Sequence, residues 1–231
     1  MVKTVKLFVE GGGDSKRLRT DCRAAFNSFL QKANLSGYMP RIVASGSRNA
    51  AYSDYCTAIN NGESAVLLVD SEAEVLISKE DANYEVGNPR TWNPWYHLKH
   101  RRGQTGEAAD HWEKPTGALE DDCHLMVQSM ESWFLADINA LKSFYGSGLN
   151  ESGLPNRSDI ENISKDVVLT CLHTVSRNTR KGSYDKGKHS FGILAGIDPN
   201  RVTALSPWAN RFILLFTAKM HSLNMQYGKN S

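Results

Sequence analysis

The chain has little of what marks several large protein classes. No apolar run approaches the roughly 20 residues that span a bilayer, and only four cysteines occur in 231 residues. Cys22, Cys56, Cys123 and Cys171 are far apart and form no CxxC pair. That argues against a zinc ribbon or a disulfide scaffold and leaves the thiols as apolar filler. Excess charge of one sign is missing too. The net charge of +2 does not mark a bulk nucleic-acid binder. No serine stands in GxSxG, and no cysteine has an evident histidine partner in sequence, so nucleophilic hydrolase readings are weak. Neither GxGxxG nor GxxxxGK[ST] occurs around Gly11-Gly12-Gly13, which argues against a nucleotide P-loop. There is no internal repeat and no low-complexity tract.

What is present is globular. Hydrophobic residues make up 40% and charged residues 23% of the chain, enough for a packed core. The apolar run at 5–9 is short and meets Glu10 and three glycines. It reads as a first strand rather than a secretory leader, so the cytoplasm is the expected compartment. Asp14 or Ser15 can cap the next helix, in which Leu18, Cys22, Ala25, Phe26, Phe29 and Leu30 recur at helical spacing. Residues 41–44 are a second strand. Residues 48–60 are a second helix, with Tyr52, Tyr55, Cys56 and Ile59 expected on one face. The continuous apolar run at 65–69 is the pattern of a strand buried on both sides, and it ends at Asp70.

The order β-α-β-α-β predicts an α/β fold with a parallel sheet, and ligands in such sheets bind beyond the carboxyl ends of the strands. Residues 71–121 are polar, carry Trp92, Trp95 and Trp112, and read as an insertion with one short helix near 95–100. A fourth strand is expected at 123–128 and an amphipathic helix at 131–144, with Trp133, Phe134, Leu141 and Phe144 inward. Beyond 146 the chain reads as helical, at 163–176, 189–196 and 207–222. The expected organisation is a core over 1–145, containing the insertion, and a helical extension over 146–231 packed on it.

Two constellations can carry chemistry. Glu10 stands at one strand end, and Asp70 and Glu72 at another. If the backbone stays extended, Asp70 and Glu72 face one side. Hard carboxylate oxygens of this kind suit Mg²⁺ or Mn²⁺. The competing account is that such acids solvate a sheet edge or cap helices. The second constellation is the basic segment 177–189, with Arg177, Arg180, Lys186, Lys188 and His189 among glycine, serine and tyrosine. It can grip phosphate, and Lys188 or His189 can stabilise or protonate a leaving oxygen. A solvated loop is the alternative. In the insertion, His97 and His100 are three apart, with His111 nearby, a spacing zinc can use; a structural role or simple surface histidines is the stronger reading. Arg101-Arg102 and the three tryptophans read either as a nucleic-acid surface or as packing of the insertion.

Val9-Glu10-Gly11 and Leu68-Val69-Asp70-Ser71-Glu72 resemble the two signatures of Toprim domains. Topoisomerases, primases, and overcoming-lysogenization-defect and RloB-like nucleases share that domain. The segments 8–15, 130–137 (opening Met130-Glu131-Ser132-Trp133) and 186–191 (opening Lys186-Gly187-Lys188-His189) also resemble a Toprim-like bacterial family that accompanies an ATPase in phage-defence loci. The resemblance implies a Rossmann-like sheet of about four strands between helices and a Mg²⁺- or Mn²⁺-dependent nuclease. In that pattern Glu10 is a ligand or general acid/base, and Asp70 and Glu72 are ligands. The second motif is normally Asp-x-Asp, so Glu72 is one methylene longer, and Glu74 can substitute. Glu131 reads from position either as an acid in a first helical turn or as a further ligand; the resemblance implies the ligand, since RloB-like proteins have a glutamate before an aromatic there. Lys188, His189 and Arg180, with Lys16, Arg48, Arg177 and Lys186, are the expected phosphate contacts. The expected partners are nucleic acid and an AAA- or ABC-type ATPase encoded nearby, with a homodimer open and no membrane. The other readings are a non-catalytic regulatory subunit of such an ATPase and a small-molecule phosphatase using the same acids.

Overall fold

A computed structural model of the chain describes residues 4–13, 15–75, 85, 87–101, 110–155 and 158–227, with side chains described only to 223. Asp14, one of the two expected caps, and Arg102 lie outside the described residues. Four strands, β1 (Lys6–Val9), β2 (Arg41–Ala44), β3 (Ala65–Asp70) and β4 (Cys123–Met126), form one all-parallel sheet in the order β2-β1-β3-β4. The predicted α/β class is therefore the observed one. The chain steps from β1 outward to β2 and then returns to the other side of β1 for β3. The crevice between β1 and β3 is thus the point where the winding reverses, and ligands of open α/β sheets collect there.

Alternation along the strands builds two cores. Leu7, Val9, Val66 and Leu68 face one side, where α1 (Lys16–Leu30), α6 (Lys186–Gly196) and α8 (Pro207–Tyr227) supply Phe26, Phe29, Leu194, Phe212 and Phe216. Phe8, Leu67 and Val69 face the other side, covered by Ala51, Tyr55 and Ala58 of α2 (Arg48–Asn60) and by Trp95 and Leu98 of α3 (Pro94–His100). Burial of both faces explains why β3 reads as an unbroken apolar run rather than an alternating one. The expected α2 face packs against this core, with Tyr55 inside it and Tyr52, Cys56 and Ile59 partly buried at its edge, and the buried face extends further to Ala51 and Ala58. Tyr52 lies flat on Trp112, 4.4 Å between ring centres and 4° between planes. The three tryptophans of the insertion are all buried, so they pack the insertion onto the sheet and offer no stacking surface to bases.

The helix expected over 131–144 is two elements. Met130–Ala136 is a 3₁₀ segment, and α4 spans Ile138–Tyr145. Asp137 makes the break: its carboxylate accepts from the Ala140 N–H (3.2 Å) and the Asp198 N–H (3.0 Å), capping α4 and tying it to the chain before α7 (Pro199–Leu205). Side-chain capping of this kind competes with helix continuation. The helix α7 was not expected, although Asp198-Pro199 is a cap followed by a first-turn proline. The C-terminal part, including α5 (Lys165–Ser176), packs into the same core as α1 and the sheet. Among the described residues no helix is long and apolar enough to cross a membrane.

Glu161 holds the start of α8. Its Oε1 accepts from the Trp208 N–H at 2.9 Å and from the Ser206 hydroxyl. Burial pushes its carboxyl up to about 7 against these two bonds. A carboxyl raised in the folded state contributes stability below its unfolded pKa of 4.5, and that contribution is lost as pH rises through about 7. Glu161→Gln keeps the acceptor and removes the charge. It is expected to flatten the stability profile between pH 4.5 and 7 and to raise stability at pH 8 by on the order of 2 kcal/mol. Urea unfolding across that range measures both; a variant with an unchanged profile would exclude this carboxyl as its source.

Candidate metal centre

The sheet places its acids at the winding crevice. Glu10 follows β1 and Asp70 ends β3, and these strands are neighbours with Val9 opposite Leu68. Glu10, Asp70 and Glu72 each offer a carboxylate oxygen, and all three oxygens lie within 4.8 Å of one another. Glu72 reaches the group by an unexpected route. The backbone after Asp70 is not extended: Glu72 has φ +63°, a left-handed conformation that is costly for a residue with a Cβ. It is held by Ser71 N–H on the Met126 carbonyl (3.0 Å), Glu72 N–H on the Gln128 carbonyl (2.9 Å), and the Ser71 hydroxyl on the Ala73 carbonyl (2.6 Å). Glu74 is exposed and outside the group.

The first residue of α2 and the insertion support this turn from behind. Arg48 Nε donates to the Asp70 carbonyl (2.8 Å), and His97 Nε2 donates to the Ser71 carbonyl (2.8 Å). Arg48 also pairs with Asp110 and lies 4.3 Å from the Trp112 ring centre. Arg101 grips Asp110 with two bonds of 3.0 Å. Arg48, expected as a phosphate contact, is therefore a buried strut. His97 is a second strut, and burial holds its imidazole below the usual range, hence neutral. His97, His100 and His111 are in no metal-ligand group among the described residues.

Electrostatics make the acids a poor match for themselves. Burial raises the Glu10 carboxyl, and Glu72 raises it further. Burial raises Asp70 well above the carboxylate range, with Glu10 and Glu131 adding to it. Two lysines answer. Lys165 Nζ donates to both Glu72 oxygens at 2.7 Å and lies 3.8 Å from Asp70 Oδ2. Lys186 Nζ lies 3.4 Å from Glu131 Oε1 and 4.0 Å from Asp70 Oδ2. Burial pulls Lys186 down, but Glu131, Asp70 and Glu10 outweigh it and hold its ammonium up at about 12. With all four carboxyls ionised, two ammonium groups leave a deficit that one divalent cation would balance.

Glu131 lies in the 3₁₀ segment after β4 and is fully buried. Its Oε1 accepts from the Tyr184 hydroxyl (2.9 Å), and its Oε2 has no hydrogen-bond partner among the described residues. It lies outside the three-acid group. A buried carboxylate oxygen without a donor is expensive, and a cation nearby would relieve it. The donor set fits Mg²⁺ or Mn²⁺. Oxygens on one such ion lie at most about 4.2 Å apart, twice a 2.1 Å bond, so the observed spread asks for a closure of only about half an ångström. Asp70 Oδ1 is already taken by the Met130 N–H (2.8 Å), and Oδ2 lies on the side of Lys165 and Lys186.

The expected phosphate contacts divide. Lys186 reaches the acids. Arg177, Arg180 and Lys16 are exposed, and Lys188 is exposed and pairs with Asp185. His189 is buried against Phe144, Tyr145 and Tyr184, and its Nδ1 accepts from the Asp185 N–H (3.1 Å). That bond, with burial lowering its pKa, makes it a neutral fixture of the start of α6. Lys165 was not expected. It reads as an ordinary solvated lysine after the cap Ser164, and its partner Glu72 is 93 residues away.

No curated protein and no solved structure matches the chain. One protein-family match spans residues 9–215 and so takes in all four acids and both lysines. The chain belongs to the family described as Domain of unknown function (DUF4276).

Proposed function

We propose that this chain is a Mg²⁺- or Mn²⁺-dependent phosphodiesterase of Toprim type, a nuclease acting as the effector of an anti-phage system. The observation that carries the reading is the convergence of Glu10, Asp70 and Glu72 within 4.8 Å at the winding crevice, flanked by Lys165 and Lys186. The Toprim-like resemblance of the Glu10 and Asp70-Ser71-Glu72 segments supports nucleic acid as substrate and an ATPase as partner. A bound divalent ion would neutralise phosphate charge and lower the pKa of an attacking water. Glu10, Asp70 and Glu72 would hold it, with Glu131 behind them. Lys186, half exposed in its side chain, can turn to a phosphate oxygen and act as a point charge. Lys165 keeps Glu72 oriented until the site is filled. Arg48 and His97 fix the ligand turn through its carbonyls and touch no substrate. The near-neutral charge of the chain predicts weak binding of nucleic acid without a partner.

The test is cleavage of plasmid, single-stranded DNA and tRNA by the purified chain, alone and with its ATPase, in Mg²⁺, Mn²⁺ or EDTA. Metal-dependent cutting that disappears in Glu10→Ala is expected. No cutting of any substrate under any metal would reject the nuclease. Stable association with the ATPase that survives Glu10→Ala would then favour a regulatory subunit.

A further inference from the structure

Beside the acids lies a recess of about 220 Å³. Glu10, Asp70 and Lys186 line one end of it, and Leu18, Met130 and Phe191 are its apolar walls. The glycine loop is its rim. Gly11 and Gly46 exchange backbone bonds of 2.9 and 3.0 Å. A Cβ on Gly11 would stand 3.1 Å from Phe191 Cζ, and one on Gly12 would stand 2.7 Å from the Arg19 Cα. Both glycines have positive φ. The chain is thus as thin as it can be where it skirts the recess.

We propose that this recess seats one unstacked nucleobase of a nucleic-acid strand, whose phosphate lies against the acids and Lys186; the assignment rests on the metal-dependent reading above. Three observations select that occupant. The volume is below the roughly 300–1,000 Å³ of pockets that bury drug-sized ligands, so it takes one ring system and excludes a base pair. The walls are apolar with one aromatic ring, and every base has a π-face to offer such a surface. The polar end holds a cationic lysine beside carboxylates that suit a metal, the combination a phosphate one sugar away from the base requires. A base enters such a recess only when it is out of the stack. The substrate class that follows is single-stranded or terminal nucleotides rather than intact duplex.

Calorimetry of AMP and of ribose 5-phosphate against the full chain, with Mn²⁺ uptake followed in parallel, tests this. AMP is expected to bind at least about tenfold more tightly than ribose 5-phosphate, in line with base–aromatic stacking. Leu18→Trp, which fills the recess, should abolish that difference while leaving Mn²⁺ uptake and the thermal midpoint intact. Equal affinity of the two ligands for a wild-type chain that takes up Mn²⁺ would overturn the recess assignment alone. A persisting AMP preference in Leu18→Trp would overturn it as well. Failure of the wild type to take up Mn²⁺ would overturn the metal reading and the assignment with it.

Discussion

Asp70→Asn is expected to make the metal-free protein more stable and the metal-loaded protein inactive. Asp70 is 1% exposed and faces Glu10 and Glu131, and its carboxyl is raised by burial before either neighbour is counted. Asparagine keeps the acceptor for the Met130 N–H and removes the charge. The lysines lose little, because Lys165 and Lys186 stand 3.8 and 4.0 Å from Asp70 Oδ2 and have closer partners in Glu72 and Glu131. The expected gain in EDTA is about 1–2 kcal/mol, which raises the thermal midpoint by about 2–4 °C per kcal/mol in a chain of this size. Hydrolysis should fall by about 10³-fold or more, ~4 kcal/mol of barrier, if the carboxylate holds the ion. A functional acid that costs stability is the expected signature of a binding site. A lower midpoint in EDTA would show that Asp70 is a structural anion satisfied by its neighbours.

The second large effect is structural. Arg211 on α8 is fully buried. Its Nε donates to the Pro89 carbonyl (3.0 Å), Nη1 to the Cys123 carbonyl (2.9 Å) and Nη2 to the Glu120 carbonyl (3.2 Å). His124 Nδ1 is 3.1 Å from Nη1. Burial, with Arg211 adding to it, pulls His124 well below its usual range, so the ring is neutral and can accept. One guanidinium thus joins α8, the start of β4 and the insertion. Arg211→Met has similar reach and no donors, and strands three carbonyls away from water. The expected loss is about 3–5 kcal/mol, a large share of the 5–15 kcal/mol typical of a domain. Urea unfolding should show a lower midpoint with an unchanged slope. A shift below about 1 kcal/mol would mean that solvent reaches those carbonyls.

The sheet was legible because its signals are local. Short apolar runs ending in Glu10 and Asp70, and helices between them with one apolar face, declare a parallel α/β fold without any tertiary knowledge. The acids were legible for the same reason, since strand ends locate them. What surrounds the acids was not. Lys165 meets Glu72 across 93 residues, and the Tyr184 hydroxyl meets Glu131 across 53. Contacts of that range leave no periodic trace. The left-handed turn at Glu72 was equally hidden, because a glutamate carries no preference for positive φ and the strain is held by backbone bonds to Met126 at the end of β4 and to Gln128 just after it. Residues 177–189 misled in the opposite way. Its charges are local and conspicuous, yet of the residues expected to act there only Lys186 touches the acids among the described contacts. Asp137 could have been read as a break, since aspartate is a weak helix former and a strong cap.

The central claim is that Glu10, Asp70 and Glu72 form one divalent-cation site. Electron paramagnetic resonance of Mn²⁺ titrated into the metal-free chain tests it most directly, because bound Mn²⁺ leaves the free-ion signal. Saturable uptake of one Mn²⁺ per chain, displaced by Mg²⁺ and lost in Asp70→Asn, is the predicted result. A wild-type chain that leaves all the Mn²⁺ free, or an Asp70→Asn chain that binds it as well as the wild type does, would contradict it.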